Sequence, residues 1–138
     1  MDYDPVEHGA LCGSCPLGQE KVVPPEIRPE KPLVIGEAPG GQEVKYGRPF
    51  VGASGKELER TLVAHGLKRE DVSLTNCLLC MPPGGDLRSY LMKLSKRNRK
   101  KTVELGFVRA DNPLDCCLPR LRREIEQANK VVMLGATA

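Results

Sequence analysis

The chain has 138 residues, of which 40% are hydrophobic and only 4% are aromatic. This length and composition are typical of one soluble domain with an aliphatic core. No apolar run approaches the roughly 18 residues of a membrane span, and the acidic N-terminus, MDYDPVEHGA, lacks the plan of a signal peptide. These features argue against a membrane or secreted protein and predict a cytoplasmic one.

The net charge is only +3, but it is unevenly distributed. The segment KLSKRNRKK, residues 93–101, contains six basic residues and no acidic one, so the rest of the chain carries −3. A local basic segment on a mildly acidic body indicates a docking site for a polyanion. The alternative is a solvated loop without a partner.

Taken in chain order, the sequence alternates between predicted strands and helices. Residues 1–31 include a proline-broken stretch, KVVPPEIRPEKP, which we interpret as an extended connection. A strand is predicted at 32–36, followed by a helix that Ser54 caps and Gly66 ends, and then by a strand at 71–76. The basic stretch at 86–111 is weakly patterned, with helical spacing at Leu87, Tyr90, Leu91 and Leu94. A helix at about 114–129 and a strand at 130–135 complete the series. Pro119 is expected only in the first turn of its helix. This order predicts an α/β fold with a parallel sheet.

Two unusual segments leave the carboxyl ends of predicted strands. The glycine-rich stretch GEAPGGQEVKYGRPFVG, residues 36–52, follows the first strand, and the loop 76–85 follows the second. Ligands bind outside these strand ends in parallel sheets, and glycine lets the main chain approach a ligand closely. The sequence therefore predicts a ligand site there. Because the last strand ends three residues before residue 138, we also expect the chain to be a fragment of a larger domain.

Six cysteines in a chain without a signal peptide favour metal ligands or buried thiols over disulfides. Cys12 and Cys15 form a C-x-x-C pair, whose spacing lets both thiolates reach one metal centre. Cys80 follows the second strand, and an adjacent pair, 116–117, opens the last helix. Four thiolates suit either zinc or an iron–sulfur cluster, and the spacing does not choose between them. Cys77 is predicted to be a core thiol, and simple burial is the alternative for the whole set.

Several motifs occur together in an order that resembles one known family. GEAPG-x-x-E-x-x-x-G-R-P-F-V-G follows the first strand, T-N-x-x-x-C-x-P-P the second, and C-x-P-x-L opens the last helix. C-x-x-C-P-L near the start and V-V-x-L-G-A-T-A at the end belong to the same series. Over residues 11–84 and 113–138, the chain resembles the bacterial and archaeal uracil-DNA glycosylases of family 4, which carry a [4Fe–4S] cluster. The resemblance implies one three-layer αβα domain over residues 1–138, incomplete at its C-terminal end, with a basic insertion at about 86–111.

The resemblance also implies the functional residues. It makes the four cluster ligands Cys12, Cys15, Cys80 and Cys117, with zinc as the less favoured metal. It makes Glu37 catalytic and places five residues at the uracil base: Gly36, Gln42, Glu43, Phe50 and Asn76. Glu43 is expected to crowd the position of the thymine methyl group.

The chemistry of these side chains supports the same roles. A base inside a duplex must be swung out at a cost of a few kcal/mol before it can be attacked. Stacking on Phe50 would recover ~1–3 kcal/mol, and the Asn76 amide matches the N3–H and O4 of uracil. Glu37 would stabilise positive charge on the sugar and orient the attacking water. The simpler alternatives are core packing for Phe50, a turn role for Asn76 and a solvated charge for Glu37.

Two groups of residues are expected to bind DNA phosphates. The first lies at a helix start, where backbone N–H groups favour anions: Gly52, Ser54 and Gly55. The second lies in the basic insertion: Lys96, Arg97 and Arg99.

The chain departs from the family pattern in two places. The family has a histidine in an H-P-S segment, which stabilises the departing uracil anion, whereas this chain has only His8 and His65. We expect His65 to be an ordinary surface residue. A related subgroup has a histidine in a basic insertion that bonds covalently to the abasic product; the insertion here contains none.

The leading prediction is a monomeric DNA-repair enzyme that acts on uracil-containing DNA, with activity in a full-length parent and weak or no activity in residues 1–138 alone. The second is a non-catalytic DNA-binding module that retains the cluster. The third is a zinc-stapled α/β protein that binds a free nucleotide.

Overall fold

A computed structural model describes the backbone of residues 3–105 and 112–135, and the side chains of these residues except 98–105. The predicted alternation of strands and helices is confirmed. The elements are β1 (Leu33–Gly36), α1 (Gly41–Tyr46), α2 (Ala53–Ala64), β2 (Ser73–Asn76), α3 (Leu87–Leu105), α4 (Pro113–Glu126) and β3 (Val131–Met133).

The three strands form one parallel sheet in the order β2-β1-β3. Gly36 at the end of β1 is in register with Asn76 at the end of β2, so the carboxyl ends of these strands lie side by side. The extended connection before β1 runs antiparallel along the outer edge of β2, where the Glu26 N–H donates to the Leu74 carbonyl at 2.8 Å. Covering the edge in this way satisfies backbone groups that would otherwise be open to pairing with another chain.

Helices pack on both faces of the sheet, because successive strand residues point to opposite sides. Val34 packs in a cluster with Leu62 of α2 on one face. Ile35, the next residue of β1, packs with Leu121 of α4 and with Cys77 on the other face. Burying an aliphatic side chain of this kind contributes about 1.5–3 kcal/mol. The α/β fold is confirmed, and so is the prediction that Cys77 is a buried core thiol.

Three local predictions need correction. The glycine-rich stretch is not all loop, since α1 lies within it. The N-cap of α2 is Gly52, and Ser54 lies inside the first turn. Pro119 lies in the interior of α4 rather than in its first turn. An interior proline costs a helix ~3 kcal/mol, and the burial of Cys117 and Leu121 on the same helix offsets that cost.

The basic stretch, which has only a weak helical pattern in sequence, contains a 19-residue helix, α3. Its start is fixed by Asp86, whose carboxylate accepts hydrogen bonds from the Arg88 N–H at 3.1 Å and from the Ser89 hydroxyl at 2.7 Å. Leu87 and Leu94 are buried and attach the helix to the body. No helix in the described ranges has the length and apolar character needed to cross a membrane.

Candidate functional site

Gly36, Phe50 and Asn76 lie in contact at the carboxyl end of the sheet. A Cβ added to Gly36 would lie 2.5 Å from the Asn76 side-chain oxygen and 2.7 Å from the Phe50 ring. Both distances are shorter than real Cβ contacts, so only glycine fits between these two side chains. The structure therefore brings together an aromatic ring, a side-chain amide and bare main chain, as the sequence predicted.

Asn76 is held through its backbone and has its side chain available for a ligand. Its carbonyl accepts a hydrogen bond from Arg120 Nη2 at 2.7 Å. The residue is only 4% exposed, yet within the described residues no protein group hydrogen-bonds its side-chain amide. A buried amide normally has partners, so this arrangement suits a ligand that supplies one donor and one acceptor.

Phe50 has a left-handed backbone conformation, with φ of 55°. This conformation is uncommon for a residue with a Cβ and costs on the order of 1 kcal/mol or more. Arg69 stabilises it by donating hydrogen bonds to the carbonyl oxygens of Pro49 and Phe50, the latter at 2.8 Å. Gly55 packs so closely on the Phe50 carbonyl that a Cβ at position 55 would overlap it. The ring is thus fixed by main-chain contacts on both sides, and it is also part of the core cluster beside α2.

Arg69 is itself held by Glu26, through an ion pair of 3.2 Å. Arg48 binds the same carboxylate at 2.8 Å. Burial opposes ionisation of Glu26, but the hydrogen bonds from Arg48 and Arg69 outweigh it and lower the pKa of Glu26 from 4.5 to about 2. This network lies behind Phe50 and sets the path of the chain that carries it.

Glu43 has a different role from the predicted base contact. Its carboxylate accepts hydrogen bonds from the N–H groups of Gly40 (2.9 Å), Val51 (2.9 Å) and Gly52 (2.6 Å). Burial raises the pKa of Glu43, and these backbone hydrogen bonds more than reverse the effect, so that its pKa lies below the usual value. Glu43 is therefore a clamp that closes the glycine-rich segment, and this geometry does not support a contact with thymine's methyl group.

Glu37 and Gln42 are both exposed, but they have different surroundings. Glu37 follows Gly36 directly and lines a cavity of about 470 Å³ between the sheet and α3. Glu37 is therefore adjacent in the chain to the Gly36–Phe50–Asn76 cluster, and its side chain faces a cavity that α3 also lines. Gln42 lies on α1, and none of the described contacts joins it to that cluster, so its base contact remains a prediction.

The predicted phosphate contacts of the helix start need partial correction. The Gly52 N–H donates to Glu43 at 2.6 Å and is not available to a phosphate. Gly55 is buried against Phe50 and has a packing role. Ser54 is exposed at the start of α2, so its phosphate contact remains a prediction.

The basic residues of α3 that the structure describes are exposed. Lys96 and Arg97 both point away from the core. Arg97 lines a cavity of about 510 Å³ together with Tyr90 and Lys93. The side chain of Arg99 lies outside the described residues.

The four predicted ligand cysteines gather at one place beside the carboxyl ends of the strands. Cys15, Cys80 and Cys117 share one apolar cluster, below the start of α3. Burial, and then repulsion from the Cys117, Cys12 and Cys15 thiolates, raises the pKa of Cys80 to about 12. The pKa of Cys12 is raised in the same way, by burial and then by Cys117 and Cys15. Cys15, Cys80 and Cys117 thus share one cluster, and the influence of Cys117 and Cys15 on the pKa of Cys12 indicates that Cys12 lies near them.

The main chain around these cysteines favours ligation by sulfur. The Leu17 N–H donates to Cys15 Sγ at 3.4 Å, and hydrogen bonds of this kind are typical of cluster thiolates. The Leu11 N–H donates to the Cys116 carbonyl at 2.8 Å and fastens the C-x-x-C turn to α4. A Cβ at Gly18 would overlap the Cys12 carbonyl, so the turn is tightly closed.

The arrangement is not yet a ready-made metal site. Within the described residues, no three cysteine, histidine or acidic side chains converge closely enough to hold a metal ion in these conformations. The four thiols nevertheless form a suitable donor set, since soft thiolates are the ligands of zinc and of iron–sulfur clusters.

The fold and these contacts define an α/β protein whose candidate ligand site lies where two parallel strands end, a usual place for ligands in such sheets. Comparison with known families specifies the class. A profile described as the Uracil DNA glycosylase superfamily matches residues 25–138. The chain belongs to this superfamily.

Individual relatives point in the same direction. The chain is 47% identical over 75 residues to the type-4 uracil-DNA glycosylase of Archaeoglobus fulgidus, an alignment that covers 52% of this chain and 38% of that protein. It is 43% identical over 75 residues to the enzymes of the same name from Pyrobaculum aerophilum and Thermotoga maritima, with 52% of this chain covered and 38% and 39% of theirs. The chain thus spans about two fifths of the length of the curated relatives that it matches.

The sequence reasoning missed two residues that build the site. Arg69 and Arg120 position Phe50 and Asn76 through backbone carbonyls. Arginine is usually exposed, so the sequence around Arg120 does not indicate that this residue is fully buried. The presence of Glu124 four residues later on the same helix could have indicated an ion pair with Arg120.

Proposed function

We propose that this protein is a DNA-repair glycosylase that hydrolyses the N-glycosidic bond of deoxyuridine in DNA, the first step of base excision repair. The observation that carries the proposal is the contact of Gly36, Phe50 and Asn76 beside Glu37. The names of the relatives support the same substrate. We further propose that the protein acts as a cytoplasmic monomer.

Uracil would be bound between a ring and an amide. Phe50 would stack on the everted base, which is worth ~1–3 kcal/mol. The Asn76 side chain would accept from uracil N3–H and donate to O4. Cytosine presents the opposite pattern, so binding it would leave a buried amide facing an unmatched group, at a cost of about 1–3 kcal/mol.

Glu37 would act at the sugar. Cleavage of the glycosidic bond builds positive charge on the ring, and a carboxylate beside it stabilises that charge. The same carboxylate can orient a water for attack at C1′. Its position in the chain, directly after Gly36, which contacts Phe50 and Asn76, supports this role.

We also propose that Cys12, Cys15, Cys80 and Cys117 hold a [4Fe–4S] cluster. The donor set and the shared placement of the four residues support this assignment. When bound, the cluster would supply a structural cross-link between the N-terminal segment, the loop after β2 and α4. Iron and acid-labile sulfide are expected in protein purified without oxygen, in a ratio near one. Zinc at one equivalent without sulfide would instead support a zinc site.

Uracil release from a labelled single-stranded oligonucleotide tests the activity. Glu37→Gln should lower kcat by roughly 100-fold or more, as expected for loss of a general acid–base group. Glu57→Gln, which changes an exposed carboxylate on α2, should leave it unchanged. Equal activities of Glu37→Gln and the parent protein would refute the role of Glu37.

The second candidate is a non-catalytic DNA-binding module, and the exposed basic residues of α3 favour it. Its affinity would come from phosphate contacts and fall steeply with salt. Tight, salt-sensitive DNA binding without uracil release in the protein that carries this sequence would support it over the glycosylase.

A further inference from the structure

The cavity beside Glu37 has a wall that no predicted site residue occupies. Its volume is about 470 Å³, within the usual range for small-molecule sites. Glu37 and Gly135 line one side, and α3 supplies all the other described lining residues: Leu87, Arg88, Leu91, Met92 and Ser95. The basic insertion thus faces the catalytic carboxylate.

One helical stripe of α3 forms this wall. Arg88, Leu91, Met92 and Ser95 follow the i, i+3, i+4, i+7 spacing of a single helix face. The residues at the other cavity, including Arg97, lie on a different face. Among the described residues, Arg88 is the one cation that lines the cavity with Glu37.

The start of α3 is held firmly enough to position Arg88. Leu87 is 2% exposed and packs in the same cluster as Leu17, Leu78 and Cys117. Asp86 accepts a hydrogen bond from the Arg88 N–H at 3.1 Å, which fixes the first turn. The Arg88 side chain is therefore exposed at the cavity but attached to rigid backbone.

We propose that Arg88 binds the phosphodiester group next to the target deoxyuridine, so that α3 forms one wall of the active-site cleft. The proposal rests on the proposed function. If the base lies at Phe50 and Asn76 and the sugar at Glu37, the phosphates lie on the far side of the sugar from the base. With the sugar at Glu37, the phosphates would enter the cavity that Glu37 and Arg88 line. A guanidinium donates two parallel hydrogen bonds to a phosphate, which fixes orientation as well as charge.

The test combines a protein variant with a change in the DNA. Arg88→Gln should weaken binding of a single-uracil oligonucleotide by roughly tenfold. Arg122→Gln, a matched control that changes an exposed arginine on α4, should leave the binding unchanged. An oligonucleotide with an uncharged methylphosphonate beside the uracil should bind parent protein more weakly by a similar factor, but should show no further loss with Arg88→Gln. Fluorescence anisotropy measures all these dissociation constants, and circular dichroism checks that the variants fold.

Each outcome decides a separate point. Additive effects of Arg88→Gln and the methylphosphonate, or equal effects of Arg88→Gln and Arg122→Gln, would overturn the Arg88 assignment. Binding with non-additive effects but without uracil release would keep Arg88 as a phosphate ligand and refute the glycosylase activity. Failure to bind uracil-containing DNA would refute both.

Discussion

Replacing Arg120 by leucine should be strongly destabilising, although arginine is usually a surface residue. Arg120 is fully buried and donates to the carbonyl oxygens of Asn76 (2.7 Å) and Cys77 (3.1 Å) and to Thr75 Oγ1 (3.0 Å). It also forms an ion pair with Glu124, whose side chain is only 10% exposed. Leucine would leave that carboxylate without its cation and two carbonyls without their donor.

The magnitude follows from these lost partners. Breaking a buried ion pair by removing one side costs about 3–5 kcal/mol, against a total stability on the order of 5–15 kcal/mol for a domain. Arg120→Leu with Glu124→Leu should recover part of the loss, because no unpaired charge remains. Arg122→Leu, an exposed change on the same helix, should stay within about 0.5 kcal/mol.

Urea unfolding followed by circular dichroism measures these free energies, and pH gives an independent check. Burial already raises the pKa of Glu124, with Arg120 opposing the rise. Without Arg120 the folded-state pKa should rise further above the unfolded value, so the folded state would bind more protons. Stability of Arg120→Leu should therefore improve as pH falls from 7 towards the unfolded pKa of Glu124. A loss below 1 kcal/mol, or a double variant no more stable than the single one, would contradict this reasoning.

Two further predictions concern Phe50 and its support. Gly36→Ala would place a Cβ 2.5 Å from the Asn76 side-chain oxygen and 2.7 Å from the Phe50 ring, so one of these side chains must move. The kcat/KM for uracil release should therefore fall by at least tenfold, while circular dichroism shows that the protein remains folded. Unchanged kinetics would rule out the proposed base site. Glu26, with a folded pKa of about 2 against 4.5, contributes stability above pH 4.5 that is lost as pH falls towards 2, a loss of about 2–3 kcal/mol. Acid titration of unfolding free energy should show this loss in the parent and a much smaller one in Glu26→Gln.

The fold could be predicted because its signals are local. β1 is an apolar run that ends at Gly36, β2 is a short strand that ends at Asn76, and α2 between them has regular helical spacing. Those two strand ends sufficed to place the site, since parallel strands align their carboxyl ends. The cysteine positions likewise followed from motifs, and the structure brings Cys15, Cys80 and Cys117 into one cluster.

What sequence could not show depends on contacts between distant residues. α1 was missed because glycine predicts loop, whereas the carboxylate of Glu43 gathers N–H groups from both ends of the segment. The left-handed conformation of Phe50 depends on Arg69, 19 residues away. No local propensity contains such information, because the stabilising partner is chosen by the tertiary fold.

Arg120 connects the two parts of the candidate site. It lies on α4, three residues after Cys117, and its guanidinium holds the end of β2 at the Asn76 and Cys77 carbonyls. The Nε of Arg120 is a buried donor without a partner in the described part of the chain, so the burial of this cation carries a desolvation cost. Arg120 therefore links α4, the helix that carries Cys117, to the end of β2 that carries Asn76. If the proposed cysteine site and base site are present, substitution of Cys117 should weaken uracil recognition through α4.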